Sequence, residues 1–575
     1  MKKVFSIIAA ALFLTSCVDT VLLPDDKTVD EDYWQTKADV NQMVQGAYQT
    51  MCSSDFISRL IVWGDFRSDE LVPVTSINNG TMTALNEIDA VNIQTTNTFA
   101  NWASVYSVIN NCNIVLQKAG GTMSIDPSYT EGDYQVDRSQ MLALRSLCYF
   151  YLVRNFRDVP YITTAYMNSS QEMDVPQASP DSVLQGCIND LVEAEQHALD
   201  PAAYTDWRRT GMINRDAIDA ILADIYLWRA SVKRSAADYE QCVYYCDKVI
   251  ASKQANHVQG IDEIQRKEYP LADGRNAFRD LYVIQNAEES IFELQFDGRN
   301  NSNVGFCQML YKYGNNNSRT GYMKVSSVLG EAASVYTNNN QARGNDDYRF
   351  TENVYAAGTG AGSYDVRKGV AIQPLSTGAP ASTGQTNDYS RAYGSYAQNY
   401  IFYRLSDVML MKAEALAQLA ADDQDVQLRQ AFNLVQAVNS RSIYASNLAA
   451  DSLKWQYYNT KANMEELVLN ERLRELSFEG KRWYDLMRYN YRRVVPADYT
   501  KTLYQLDQEG YNFSRNDQNT LNLITRKYSS GGNAAAAKLR YETNLYMPIY
   551  HAEIVANPNL RQNPAYSDEE DFEKN

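Results

Sequence analysis

Residues 470–490, reading NERLRELSFEGKRWYDLMRYN, constrain the fold more than any other stretch of the chain. Leu469, Leu473 and Leu476 recur at spacings of four and three, which lines them along one side of a helix. Trp483, Leu486 and Met487 resume the apolar surface after Gly480, so this side must face a core. Glu471, Glu475 and Glu479 also fall four apart, and like charges at that spacing repel unless cations bridge them. Two readings compete. Stacked carboxylates could hold a di-metal site or supply an acid and a base, or they could pair with Arg472, Arg474, Lys481 and Arg482. Ion pairing is the stronger reading, because metal sites in helical bundles need Glu-x-x-His partners. The three histidines, His197, His257 and His551, all lie elsewhere.

The N-terminus begins with Lys2 and Lys3, continues with an apolar run from Val4 to Leu14, and reaches Leu14-Thr15-Ser16-Cys17. A charged start, a short apolar run and small residues before a cut predict a secretory signal over residues 1–16, too short to span a bilayer. The Leu-Thr-Ser-Cys tetrapeptide resembles a bacterial lipobox, which makes Cys17 the lipidated first residue of the mature chain. An ordinary signal peptide with a chance cysteine is the competing reading. Three acyl chains exceed the two signals that stable anchoring requires, so a lipidated chain stays on its membrane. Residues 17–29, broken by Pro24, read as a tether. No other stretch approaches eighteen uninterrupted apolar residues.

A net charge of −17 argues against nucleic acid or another anionic polymer as a ligand, since such affinity comes from a basic face. Beyond Cys17 the seven cysteines lack the spacing of a disulfide framework or zinc site, and most read as small buried hydrophobes. Tyrosine is more informative: 42 against 17 phenylalanines means that many rings must keep a hydroxyl near water, as on a wet binding surface.

Along the chain, residues 30–51 predict a first core helix carrying Tyr33, Trp34, Val40, Val44 and Tyr48. The segment VWGDFRSDELVP from Val62 is aperiodic and reads as a loop. A helix from Asn101 is expected to end at Gly120 and Gly121, and residues 140–156 predict a helix apolar around most of its circumference. Helices opening at Asp181 and Asn214 start 33 residues apart, and Ala217, Ala220 and Ala223 permit close approach. Antiparallel helices at that period suggest tetratricopeptide-like repeats. Between about 256 and 398 the chain becomes dense in Asn, Gly and Tyr, with one strand expected from Ser290. Long irregular stretches of this kind are usually functional or disordered. Helical pattern returns from Asn399 and Val426, and the last residues, 491–575, read as a wrap over other elements.

Five stretches in order, the lipobox, DYW…GAY, LALRSLCYFYLVRNFRDVP, YRLSDVMLMKAEAL and ERLRELSFEGKRWYDLMR, resemble the SusD/RagB family of lipid-anchored outer-membrane nutrient-binding proteins of Bacteroidetes. MPI…E…NPNLRQNPAY completes the match at the C-terminal end. The resemblance implies a mainly α fold: a tetratricopeptide-like scaffold, chiefly 30–255 and 399–490, with an irregular ligand-binding region at 256–398 containing a few short strands, all in one domain over 30–575. It also implies a partner, a TonB-dependent outer-membrane transporter of the SusC-like kind, and an oligosaccharide or peptide ligand for import. Val18, Asp19 and Thr20 depart from the acidic run that often follows the cysteine in surface-exported lipoproteins of that phylum, which leaves a periplasm-facing scaffold as an alternative.

No GxSxG, P-loop, HExxH or CxxC motif is present, so no catalytic residue, cofactor or metal is expected. Sugar binding needs flat aromatic faces flanked by amide and charged groups. The candidate contacts are Trp63, Asp65, Arg67 and Asp69 in the first loop; Tyr311, Tyr313, Asn317, Arg319 and Tyr322 in the second; and Arg391, Tyr393 and Tyr396 before the YRLSD segment. Trp102, Trp228 and Trp483 lie on apolar helix faces and read as core.

Overall fold

The structure is a computed structural model describing residues 33–167, 171, 174–256, 269–272, 274, 276–311, 321–330, 335–343, 346–356, 364–369, 371–374, 389–392 and 396–567. The expected signal peptide over 1–16, Cys17 and the expected tether over 17–29 lie outside the described residues. The fold is mainly α, with few short strands. Helices α1 (Lys37–Met51), α2 (Ser54–Ile61), α3 (Gly80–Asp89), α4 (Ala103–Thr122), α5 (Glu131–Phe156), α6 (Pro180–His197), α7 (Arg215–Lys233) and α8 (Ala236–Ala255) occupy the first half. After the Asn- and Gly-rich region come α10 (Leu405–Leu419), α11 (Val426–Ser440), α12 (Lys461–Leu476) and α13 (Arg482–Arg493), with the short α9 (Val304–Leu310) between the two sets.

The long helices pack in chain order, α1 on α4, α4 on α5, α5 on α6, α6 on α7, α7 on α8, and then, across the inserted region, α8 on α10, α10 on α11 and both on α12. Short connections such as that between Lys233 and Ala236 force antiparallel neighbours, as in tetratricopeptide-like stacks. Ala217, Ala220 and Ala223 of α7 are completely buried. Among the described residues no helix is long and apolar enough to cross a membrane.

Several boundaries differ from expectation. Helix α1 begins only at Lys37, where Thr36 and Asp39 form a capping box, so Tyr33 and Trp34 precede it. The glycines at 120 and 121 do not end α4, which runs through them to Thr122. Helix α5 starts at Glu131 behind a Thr130–Asp133 capping box, and the apolar stretch from Gln140 is its buried remainder. Ser179 rather than Asp181 caps α6. The segment YIFYR is not helical: as β8 (Tyr400–Arg404) it pairs antiparallel with the expected strand β2 (Ser290–Leu294), burying aromatic rings on both. A four-stranded antiparallel sheet joins β1 (Leu71–Pro73) to β3 (Met323–Val325), β5 (Tyr364–Val366) and β4 (Val354–Ala356), and β6 (Ala371–Pro374) pairs with β7 (Tyr389–Ala392).

The expected loop at residue 62 is instead a π-turn, Val62–Phe66, continuing α2; the Arg67 N–H donates to the Val62 carbonyl five residues back. It forms the seat for the 470–490 stretch, which is two helices, α12 and α13, joined at Ser477–Lys481. Phe478 and Gly480 have φ of +63° and +72°. A Cβ on Gly64 would lie 2.6 Å from the Gly480 carbonyl carbon, so the two backbones touch. Both Asp65 carboxylate oxygens accept the Gly480 N–H, at 2.8 and 3.0 Å. Trp63 donates to the Phe99 carbonyl at 2.9 Å and meets Phe156 edge-on. The Arg67 guanidinium lies 4.3 Å from the Trp483 ring centroid and donates to the Leu545 carbonyl. Asp69 receives Arg482 at 2.8 Å and Arg526 at 2.6 Å.

The three glutamates are ion-paired, but mostly not to their neighbours in sequence. Only Arg474 turns back, onto Glu471. Arg472 goes to Asp407 and Asp485, Lys481 to Asp407, and Arg482 to Asp69. The cations on the glutamates come from afar. Arg349 reaches Glu471 at 2.6 Å and Glu475 at 3.2 Å, while Arg404 binds Glu475 at 2.5 Å and Glu479 at 2.8 Å. Arg441 bridges Glu475 and Glu289, and Lys368 pairs with Glu479. All are buried. Burial raises the Glu475 carboxyl, but Arg441, Arg404 and Arg349 outweigh it and hold the group well below the usual range. The adjoining cavity is only about 30 Å³, room for one or two waters and not for a sugar ring.

The C-terminal segment runs back over the first half of the chain. Lys527 donates to the Phe66 carbonyl, Met547 N–H to Asn155, His551 N–H to Thr95, and Gln177 pairs with the Arg561 backbone.

Three outcomes follow from these contacts. Gly64→Ala forces the Gly480 backbone away and should cost about 1–3 kcal/mol or more in chemical denaturation. Glu475→Ala, which removes the carboxylate shared by Arg349, Arg404 and Arg441 and leaves an excess of buried positive charge, should cost about 3–5 kcal/mol while leaving the affinity of the folded protein for its ligand unchanged. The third concerns pH. Burial pushes Asp65 up to about 7, and burial with the adjacent Asp65 and Asp69 charges raises Glu70 further. A carboxyl with a raised folded-state pKa stabilises the fold at low pH and loses that contribution as pH rises through the folded value; Asp158 and Asp219, raised to about 6 and 7 mainly by burial, add to the same limb. The depressed Asp407, buried yet held at about 2 by Lys481 and Arg472, acts in the opposite sense, losing stability as pH falls below about 4. Thermal unfolding should therefore show a maximum near pH 5 and decline toward pH 8, and Glu70→Gln should reduce the alkaline decline by about 1–3 kcal/mol.

Candidate functional site

The 256–398 region meets the helical scaffold through α9. Asn303 caps this helix by accepting the Phe306 N–H at 3.2 Å, and its own side chain donates to the Gln398 carbonyl at 2.7 Å. Gly305 lies against α2, where an added Cβ would be 2.5 Å from the Ser54 carbonyl oxygen. Two candidate tyrosines are fastened to the ends of α9. At its start, the Asn303 N–H donates to the Tyr396 carbonyl at 2.8 Å; at its end, the Gln308 carbonyl accepts the Tyr322 N–H at 3.2 Å. Asn303 and Gln308 are five residues apart, which at about 1.5 Å each places these two attachment points about 7.5 Å apart along the helix. Both tyrosines are part-buried, packing on the core with one portion open to solvent. Tyr322 is held further by the Val74 N–H on its carbonyl and by exposed Asn79, which donates to its hydroxyl at 3.1 Å.

Beside the start of α9 lies a cluster of side-chain amides that the candidate set did not contain. Gln285 donates to the Ala397 carbonyl at 2.7 Å and accepts the Asn399 N–H. Gln295 donates to Asn286 at 2.9 Å, and Asn399 donates to Glu293 at 2.8 Å and caps the Phe296 N–H. Thr210, from the helical scaffold, donates to Asn286 at 2.5 Å. Gln285 has φ +66° and ψ 173°, a backbone conformation L residues rarely adopt, and such strain concentrates where a surface is held in shape for use. Part-exposed aromatic rings together with forked amide donors and acceptors suit ring hydroxyls or a peptide backbone. The density of Asn and Gly in this region was the sequence signal for the cluster; which amides meet depends on the pairing of β2 with β8.

The other candidates divide into three groups. Trp63, Asp65, Arg67 and Asp69 are corrected: all are buried, at 0 to 7 % exposure, and their functional groups are used in the joint with residues 478–483, so none offers a face to a ligand. Tyr311 is also buried; its hydroxyl donates to the Lys368 carbonyl at 2.9 Å and its ring meets Phe306 edge-on, which makes it a strut under the surface. Arg391 lies on β7 opposite Ile372. Tyr313, Asn317, Arg319 and Tyr393 lie outside the described residues. Trp102, Trp228 and Trp483 are core residues, and the cysteines at 52, 112, 148, 187, 242, 246 and 307 are buried thiols.

Residues 267–566 match the family model described as the SusD family, and residues 22–227 match one described as "Starch-binding associating with outer membrane". SusD-like protein P38 of Formosa agariphila is 22% identical over 504 residues, spanning 84% of this chain and 90% of that protein. A SusD homolog from Bacteroides thetaiotaomicron superposes with a TM-score of 0.67 at 18% identity, covering 94% of this chain and 99% of the other. NanU from B. fragilis superposes with a TM-score of 0.62 at 19% identity, covering 95% and 100%. Those likenesses carry the fold, and the model matching more than half of the residues settles the family: the chain belongs to the SusD family.

Proposed function

We propose that this protein is a non-enzymatic binding lipoprotein, held on the outer membrane through Cys17 and facing outward, that captures oligosaccharides and passes them to a SusC-like TonB-dependent transporter. The observation that carries the reading is the pair of part-exposed tyrosines, Tyr322 and Tyr396, set at the two ends of α9 beside the Gln285–Asn399 amide cluster. Family membership supports the binding role, and the family description naming starch and the outer membrane favours a glycan and that location. The Lys2–Cys17 signal supports the anchor. The same surface chemistry accepts a peptide, which is the alternative ligand class.

Titration calorimetry of the delipidated protein against glycan and peptide panels tests this. A glycan should bind, and Tyr322→Ala and Tyr396→Ala should each weaken it about tenfold, the loss expected for one ring contact of about 1.5 kcal/mol, with unfolding temperature little changed. Binding of peptides alone moves the ligand class; hydrolysis of a bound glycan by the purified protein overturns the non-enzymatic reading.

A further inference from the structure

Away from α9, a groove of about 690 Å³ opens between α1, the start of α5 and the connection that precedes α7. That volume lies in the range of small-molecule sites. The segment 207–212 belongs to both regions: Thr210 holds Asn286 of the amide cluster, while Arg208 and Met212 line the groove.

The charges in the groove are unevenly settled. Lys37 pairs with Asp133 at 2.9 Å, and Asp133 is also the capping-box residue of α5. Arg208 pairs with Asp206 at 3.0 Å and lies 5.2 Å from the Tyr204 ring centroid. Asp137 is different. It is 8 % exposed, and its one hydrogen bond among the described residues comes from the Tyr129 hydroxyl, at 3.1 Å on Oδ2; no described Lys or Arg forms an ion pair with it. One turn along α5, Gln140 accepts the Tyr48 hydroxyl at 2.7 Å, and Tyr48 in turn accepts the Ile213 N–H. A buried carboxylate without a cation costs several kcal/mol, on the order of what an ion pair in a poorly hydrated site recovers. Apolar surface comes from Val44, Val136, Leu199, Met212 and Tyr204, interrupted by the polar side chains of Asn41, Gln45 and Thr130.

We propose that this groove is a second binding site, distinct from the glycan surface, for a small organic ammonium ion whose charged head pairs with Asp137 and whose apolar body lies against Val44, Val136, Leu199 and Tyr204. The argument rests on charge complementarity: the wall carries a carboxylate only 8 % exposed that forms no ion pair among the described residues, Lys37 acting on it from beyond ion-pair distance. Burial raises the Asp137 carboxyl to about 6, against the smaller opposing effects of the Tyr129 hydroxyl and Lys37.

Calorimetry on the delipidated full-length chain with 2-phenylethylammonium as the probe, and the neutral 3-phenylpropan-1-ol as its comparator, tests the assignment. The ammonium should bind at least tenfold more tightly than the alcohol and raise the unfolding temperature. Asp137→Asn, which removes the charge and keeps the shape, should lose at least tenfold for the ammonium and nothing for the alcohol. Val136→Trp, which fills the groove, should abolish binding of both and serves equally should Asp137→Asn fold poorly. Equal affinity for the two probes, ammonium binding that survives both substitutions, or no binding at millimolar concentration overturns the proposal.

Discussion

The rest of the structure depends on the seating of the turn at residues 477–481 on the π-turn at residues 62–66. Two backbones meet there without side chains between them, at Gly64 and Gly480, and Asp65 holds the Gly480 N–H from beneath. Because contact is backbone to backbone, it tolerates no added atom, and it fixes the angle between α12 and α13. That angle decides where Glu475 and Glu479 stand, hence where Arg349, Lys368, Arg404 and Arg441 must come. Those four cations lie in the inserted region, at the end of β8 and after α11. The ionic network thus pulls the inserted residues onto the helical stack at one register.

An ionic interior of this kind is a costly way to hold a fold together. Charges leave water at several kcal/mol each, and a well-packed apolar core of the same volume is often as stable. What the charges add is exclusivity, because an apolar contact slides by a residue with little loss whereas Arg404 shared among Glu289, Glu475 and Glu479 has one satisfying position. The described parts of 256–398 form only short helices and strands with few ladder bonds to define their placement, and here the ion pairs take over that task. The tyrosines at the ends of α9 inherit their spacing from it, through β8 and the Asn303–Gln398 bond.

The sequence reading of the fold succeeded where periodicity spoke and failed where partners decided. The helical stack was legible in the 3.6-residue spacing of α5, α7 and α10 and in the alanines of α7. The YIFYR strand was not, since aromatic and β-branched residues next to a helical run look continuous with it until β2 supplies the pairing. The pairing of Glu471, Glu475 and Glu479 with cations was correctly expected but assigned to neighbours, because Arg349 and Arg404 are brought in by tertiary folding that spacing on one helix cannot reveal. The same limit explains Trp63, Asp65, Arg67 and Asp69: an aromatic ring among charges resembles a wet binding loop in sequence, and only the partners at 480–483 and 526 show it to be interior. Tyr322 and Tyr396 were legible as residue types in an irregular segment, while the amide cluster beside them needed the backbone path to assemble it.

The buried carboxylates of this protein divide by what meets them. Asp69, Asp407, Glu414 and Glu475 are each met by two or more cations, and those cations outweigh burial to hold every one of them below its ordinary range. Such groups have spent their bonding capacity inside the protein and have little left for a ligand. Asp137 is also buried, though less deeply; a tyrosine hydroxyl is its only hydrogen-bond partner among the described residues, and it borders the groove. In a chain with a net charge of −17, a carboxylate near the surface is unremarkable, but one that is buried, forms no ion pair and borders an open groove leaves room for a cation from outside the chain. Asp65 and Glu70 are likewise buried with no ion pair among the described residues, but they lie inside the structural joint, so what sets Asp137 apart is the groove of about 690 Å³ that it borders.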